Sequence, residues 1–235
     1  MSDTAVLVVK TLAGVSSLVM VFSPSIAMWR VYKSKQVGIL SFVPLISLLA
    51  NSHVWMMYGY LSDLIFPVFT NFVLGDVVAL VYIAVYWRYT TERRRVLRIF
   101  LVAMAILLPL TLYAILGGLG YTGQSYKSVG NVMGFAADVS AVCLYGAPME
   151  KIFLVLKHKS AAFFQIHMVI AGTTNNVLWF TYGLLTNNWF IISINILFLA
   201  LGTTTIVLYM IYNPKTHPLP KDLMVAVKPD DELSI

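Results

Sequence analysis

Asn51-Ser-His-Val-Trp55-Met-Met-Tyr58-Gly59-Tyr-Leu61 is echoed, 124 residues on, by Asn175-Asn-Val-Leu-Trp179-Phe-Thr-Tyr182-Gly183-Leu-Leu185. Asn, Trp, Tyr, Gly and Leu recur in the same order without a gap. Each copy lies inside an apolar run, where polar side chains are expensive and need a reason. The duplication decides the fold, because it asks for two copies of one unit in an apolar chain.

The 235 residues are 59% hydrophobic and 11% charged, with a mean hydropathy of +0.82. Soluble domains carry about 25% charged residues. Apolar runs cover about 6–29, 38–61, 65–87, 97–120, 129–153, 161–185 and 188–212. Each is near the ~20 residues a helix needs to cross a hydrocarbon core. Backbone groups in lipid must be satisfied internally, so the runs are predicted helices; a barrel would alternate with period two. Seven helices with short links use nearly the whole chain. The expected class is an all-α, multi-pass integral membrane protein without a sizeable soluble domain.

The net charge of +6 orients the protein and is not read as a nucleic-acid surface. Fourteen of the sixteen Lys and Arg fall at 30–35, 88–98, 151–159 and after 214; only Lys10 and Lys127 lie elsewhere. With seven spans the four clusters share one side, which the positive-inside rule makes cytoplasmic. The N-terminus is then outside and the C-terminus cytoplasmic. Arg93, Arg94 and Arg95 can also touch anionic lipid heads. No basic region precedes the first apolar run, and Arg30, Lys33 and Lys35 follow it, so it reads as a retained helix and not a cleaved signal peptide. The lone Cys143 cannot pair internally and receives no role.

The pattern of the first three spans restarts at the fifth. Ser23-Pro24 is matched by Ala147-Pro148, Lys33-Ser-Lys35 by Lys157-His-Lys159, and Asn71 by Asn195. Residues 22–89 and 146–213 share twelve identities at one fixed offset. The rare types among them (Pro, Asn twice, Trp, Tyr, two Lys) make the repeat real. The fourth span has no buried carboxylate, amide or His. One extra crossing gives two three-helix units the same orientation, so the prediction is a 3+1+3 fold: two parallel three-helix bundles and a linker helix. Its parts are 6–89, 96–121 and 129–213, with a flexible cytoplasmic tail over 214–235. Transporters built on parallel repeats place their substrate site at mid-membrane between the units.

Asn71 and Asn195 sit mid-span, one per unit, and Trp55 and Trp179 offer flat faces at matching depth. Amide donors and acceptors with aromatic platforms, and no fixed charge, suit a neutral polyhydroxylated ligand. The competing reading of the amides is interhelical packing. On a 100° helix Pro44, Asn51, Trp55 and Tyr58 fall within about 60° of one another. Pro24, Pro44 and Pro148 lie toward the cytoplasmic ends of their helices, where a lost backbone hydrogen bond makes a hinge for alternating access. Asp76 and Asp138 are carboxylates inside spans. Asp76 lies about 140° around the helix from Asn71. Both carboxylates are read as helix-interface residues, with proton coupling the alternative; His53 and His167 are read likewise. Asn51 and Asn175 are assigned to helix packing.

These motifs, from the early proline to the second Asn–Trp–Tyr–Gly phrase, resemble the SWEET (MtN3/saliva) sugar transporters over about 6–213; parallel repeats are themselves named for that family. The resemblance implies a facilitative uniporter of mono- or disaccharides working by alternating access, with no cofactor. Asn71 and Asn195 match the family's paired sugar-binding asparagines, and Trp55 and Trp179 its pocket positions. Met20 and Leu144, each four residues before a proline, match pocket-wall positions that bear on sugar size. Tyr58 and Asn188 match the outer gate, where the family often has Asp in place of Asn188. The family usually has a fourth inner proline early in the sixth helix; its register puts Gln165 there, so the fourth hinge is missing.

Bulky pocket residues favour hexoses over disaccharides. The partners are a neutral sugar and the lipid bilayer, with no nucleic acid; a homo-oligomer is compatible with the sequence. The plasma membrane is the default location and an intracellular membrane the alternative. The rival function is a proton-coupled, PQ-loop-like exporter of amino acids or other small solutes, but Pro24, Pro44 and Pro148 are followed by Ser25, Leu45 and Met149, not Gln. A seven-helix receptor would not need duplicated halves. No nucleophile, metal cluster or phosphate loop suggests an enzyme.

Overall fold

The repeated phrase forms the C-terminal halves of two helices in a helical membrane-type fold. The structure, a computed structural model, describes residues 3–38 and 40–219, leaving aside the side chains of residues 3, 147 and 148. Its helices are α1 (Asp3–Phe22), α2 (Ser25–Ser34), α3 (Val43–Leu61), α4 (Thr70–Tyr89), α5 (Arg93–Gly118), α6 (Tyr126–Leu144), α7 (Gly146–His158), α8 (Ile166–Leu185) and α9 (Trp189–Ile211). A single π-turn over Ile65–Phe69 leads into α4, and a short 3-10 turn over Ala161–Phe163 precedes α8.

Two expected continuous spans are each two helices. The first apolar run breaks where Pro24 takes the N-cap position of α2, and Ser23 turns back on the Met20 carbonyl through both its amide (3.2 Å) and its hydroxyl (2.8 Å). The fifth breaks at Tyr145, between α6 and α7. With their second helices these spans run Thr4–Ser34 and Tyr126–His158, past the ends of the apolar runs because α2 and α7 carry the basic residues. The expected tail lies, beyond residue 219, outside the described residues.

Among the described residues, five stretches are long and apolar enough to cross a membrane: those two, Ile65–Tyr89, α5 and α9. The helices α3 and α8 fall short because the repeated phrase fills them with Asn, Thr, Ser, His and Tyr. Several of these groups, Asn51, Ser52, Tyr58, Asn176 and Tyr182, are buried against neighbouring helices. α3 packs against α4, α5 and α6, and α8 against α9 and α1. By contrast α5 turns Leu101, Ile106, Leu108 and Leu112 outward, as a lipid-facing helix should.

The repeat is written into the backbone as well as the side chains. Lys35 and Lys159 both adopt left-handed φ (60° and 54°), as do Asp63 and Asn187 (54° and 50°). Leu64 donates its amide to the Gly59 carbonyl, and Asn188 its amide to the Gly183 carbonyl, each at 2.9 Å. These bonds fold the start of the next helix over the glycine. A Cβ on Gly59 would meet Phe69 N and Val68 Cγ1 at 2.9 Å; one on Gly183 would meet Ile192 Cγ1 at 3.0 Å. The glycine of the repeated phrase is therefore a packing requirement of the turn.

The packing is also reciprocal. α1 lies on α4 and α8, while α6 lies on α9 and α3. One buried core contains Trp55, Tyr58 and Leu61 together with Trp179, Tyr182 and Ile191, so it joins the two halves. Toward the basic ends the core divides. Val31, Phe42, Leu45 and Tyr86 form a cluster in the first half, and Val155, Ala161, Phe164 and Leu208 another in the second.

Candidate substrate pocket and gate

Trp55 and Trp179 are both buried, and their rings are brought together by a third that sequence reasoning did not single out. Phe72, on α4, stacks on Trp55 with ring centroids 5.7 Å apart and planes 19° off parallel. The same ring lies 6.2 Å from Trp179, tilted by 42°. Each indole is braced edge-on by the tyrosine of its own phrase, Tyr58 at 5.5 Å and Tyr182 at 5.6 Å. The Trp179 Nε1–H also donates to Ser17 Oγ at 2.6 Å.

Asn71 and Asn195 are buried, and each spends one amide N–H on a main-chain carbonyl. Asn71 donates to Gly14 O on α1 at 3.1 Å, and Asn195 to Ile191 O in its own helix at 2.7 Å. Asn71 thus ties α4 to α1, while Asn195 folds back on α9. Met20 and Leu144 are half-buried in the last turns before the two helix breaks. Just beyond Leu144, Tyr145 stacks face to face on Phe198 at 3.6 Å.

Tyr58 and Asn188, expected as gate residues, meet directly: Asn188 Nδ2 donates to Tyr58 OH at 2.6 Å. The bond links the two halves at the Tyr58 end of α3, and Phe190 packs edge-on against Tyr58 at 5.4 Å. Asn188 also caps α9, its Oδ1 accepting from Ile191 N at 3.1 Å. Beyond the bond lies a cavity of about 460 Å³ lined by Asp63, Tyr126, Asn131 and Trp189 among others.

The other hinge candidates are scattered. Pro44 is exposed in the first turn of α3, where its missing N–H deprives the helix of nothing, so the lost-bond argument does not apply there. Gln165 is the exposed N-cap of α8. The side chain of Pro148 lies outside the described residues; its backbone is in the first turn of α7.

One family model, described as "Sugar efflux transporter for intercellular exchange" (MtN3/saliva), matches this chain twice, over residues 7–94 and 131–217. The chain belongs to the SWEET family. It is 27% identical over 237 residues to "Bidirectional sugar transporter SWEET8" of Arabidopsis thaliana, covering 95% of this chain and 92% of that protein. It is 26% identical to "Bidirectional sugar transporter SWEET15" of rice (Oryza sativa subsp. indica) over 87% of this chain, and spans 63% of that relative's length. Its fold matches a eukaryotic SWEET transporter structure with a TM-score of 0.76 and 20% identity, covering 89% of this chain and 97% of that one. This SWEET protein is a multi-pass integral membrane protein.

The asparagines that open each phrase join the two halves. Ser16 on α1 donates to Asn175 Oδ1 at 2.7 Å, and Ser140 on α6 donates to Asn51 Oδ1 at 3.3 Å. Ser16 and Ser140 are themselves 124 residues apart. A self-comparison begun before residue 22 would have caught them. The helix-packing reading of Asn51 and Asn175 agrees with these bonds.

The two partly buried carboxylates, Asp76 and Asp138, bond to other side chains. His53 Nδ1 lies 2.9 Å from Asp76 Oδ2, and His53 Nε2 lies 2.8 Å from Thr111 Oγ1. The Thr111 hydroxyl donates to Leu107 O, so its oxygen accepts from Nε2–H. One proton then sits between Nδ1 and Asp76, and the network fastens α5 to α3 and α4. Asp138 accepts from Ser193 at 3.1 Å. His167 is exposed. Among the described residues, no group of three or more His, Cys, Asp or Glu could hold a metal ion.

Proposed function

We propose that this protein is a facilitative transporter of mono- or disaccharides, hexoses favoured, working by alternating access. The observation that carries the reading is the Asn188–Tyr58 bond, which closes one end between the halves while their cores divide at the other. A molecule shut at one end and split at the other has the form of one state of an alternating-access cycle. The sugar-transporter names of the relatives support the substrate class.

In this reading 6–89 and 129–213 are parallel three-helix units, 96–121 is the linker helix, and the basic ends face the cytoplasm. The double family match and the reciprocal packing of α1 and α6 support it. The closed end is then the outer one, so the conformation is inward-facing, and the default location is the plasma membrane. Asn71 and Asn195 supply hydrogen bonds to sugar hydroxyls, and Trp55 and Trp179 receive the apolar face of a pyranose. Met20 and Leu144 form the wall toward the cytoplasm. Tyr58 and Asn188 are the outer gate, with Pro24, Pro44, Pro148 and Gln165 the elements that bend or bound the inner one. The reaction breaks no covalent bond, so the protein is no enzyme.

The His53–Asp76 pair gives a proton-coupled mechanism one specific foothold. Labelled glucose entry into proteoliposomes, with and without a pH gradient, separates the two. Uniport predicts glucose flux indifferent to the gradient and lost in Asn71→Ala and Asn195→Ala. Flux that requires the gradient and vanishes in Asp76→Asn overturns uniport. Absence of flux for every sugar tried sinks the sugar reading itself.

A further inference from the structure

We propose that Phe72 is the size filter of the pocket, the side chain that sets the largest sugar able to pass between the two tryptophans; the inference rests on the transport reading above. The space a sugar ring would enter holds the Phe72 ring, 5.7 Å from Trp55 and 6.2 Å from Trp179. Neither indole can retreat. Trp55 and Trp179 are only 5% and 6% exposed, each braced by its tyrosine, and Trp179 is also held by Ser17. Phe72 is less confined, being half-buried. Of the three rings it is the one with room to move.

A pyranose and a benzyl ring present similar flat apolar faces, so one sugar ring can take the place Phe72 vacates. A disaccharide brings a second ring, for which the displaced phenyl must also leave space. Phe72 follows Asn71 directly, so the amide offered to a hydroxyl and the ring to be displaced move on one turn of α4. The repeat does not duplicate this device. The residue after Asn195 is Ile196, which points away from the core at 52% exposure. The filter therefore sits on one side of the pseudo-symmetric pocket.

The test compares labelled sucrose and labelled glucose flux in proteoliposomes for wild type, Phe72→Ala, Phe72→Leu and Ile196→Ala. The expected result is a rise of about tenfold or more in the sucrose-to-glucose ratio for Phe72→Ala, the scale on which pocket volume discriminates ligands. Phe72→Leu gives a smaller rise, and Ile196→Ala leaves the ratio at the wild-type value. Should Phe72→Ala fail to fold, Phe72→Leu carries the same sign and decides. An unchanged ratio in the Phe72 variants, with wild type moving glucose, overturns the filter and leaves transport standing. An equal rise in Ile196→Ala also overturns it, since general loosening then explains the effect. A wild type that moves no sugar removes the transport reading and the filter with it.

Discussion

Tyr58 and Asn188 illustrate what one hydrogen bond between two halves is worth. A neutral bond contributes about 0.5–1.5 kcal/mol net. Tyr58→Phe should cost that much in thermal unfolding of the detergent-solubilised protein. Asn188→Ala should cost more, because it also removes the α9 cap, typically about 1 kcal/mol. The double variant should lose less than the sum of the two; strictly additive losses would show that the bond is not formed. Gly59→Ala should lower stability by about 1–3 kcal/mol, the usual cost of overpacking, because its Cβ would press on the Phe69 amide. Gly183→Ala should cost less, its neighbours being slightly farther away. Equal melting temperatures for wild type and Gly59→Ala would refute the close approach.

Much of this residue-level detail was legible where residue types are rare. Trp, Asn, Tyr and Gly at a fixed offset named the phrase, and the structure gives each a distinct use. Phe72 was illegible for the same reason: its counterpart is Ile196, so comparing the halves passes over it. The Gly14 carbonyl that Asn71 meets is a backbone group, and nothing in a sequence marks which carbonyl an amide will find.

Among the elements, α5 is the odd one, lipid-facing over most of its surface yet pinned by Thr111. Removing Asp76 or His53 leaves a partly buried polar partner unsatisfied, toward the low end of about 1–3 kcal/mol. Asp76→Ala and His53→Ala should each lower the melting temperature, and Thr111→Val less so, since Thr111 Oγ1 also bonds within its own helix. If Thr111→Val is the most harmful of the three, the network does not hold α5 as described. The helices themselves were readable from apolar run length. Their breaks were not, because hydropathy runs on through Pro24 and Tyr145 without a change. The sequence marked a proline at both places, but only the main-chain turn at Ser23 shows where α1 ends.

Across the whole molecule, the two halves meet through matched bonds at mid-height. Asn51→Ala removes one serine–asparagine bond, and Asn175→Ala removes that from Ser16 and a longer one from Ser17 at 3.4 Å; such bonds are worth about 0.6 kcal/mol on average between membrane helices. The sites share no partner, so their losses should add in the double variant. A loss from Asn175→Ala several times that from Asn51→Ala would mean the halves are not equivalently joined. The sequence argues for a parallel arrangement through repeat number and charge side, which are counting arguments. The bond from Asn188 to Tyr58 is not legible in the sequence, which does not mark which side chain an amide will reach.

The exchange of Ser16 to Asn175 for Ser140 to Asn51 has the form of an isologous contact, in which a patch on one partner meets the same patch on the other. Two separate but identical subunits meeting that way must carry the same residue at every related position. Tethered in one chain, they need not. Such a fused dimer keeps its matched bonds and is free to differ beside them: a phenyl ring at 72, an isoleucine at 196, a hydrogen bond made by Tyr58 from one side and Asn188 from the other. In the proposed pocket, an asymmetric ligand would then meet two different walls.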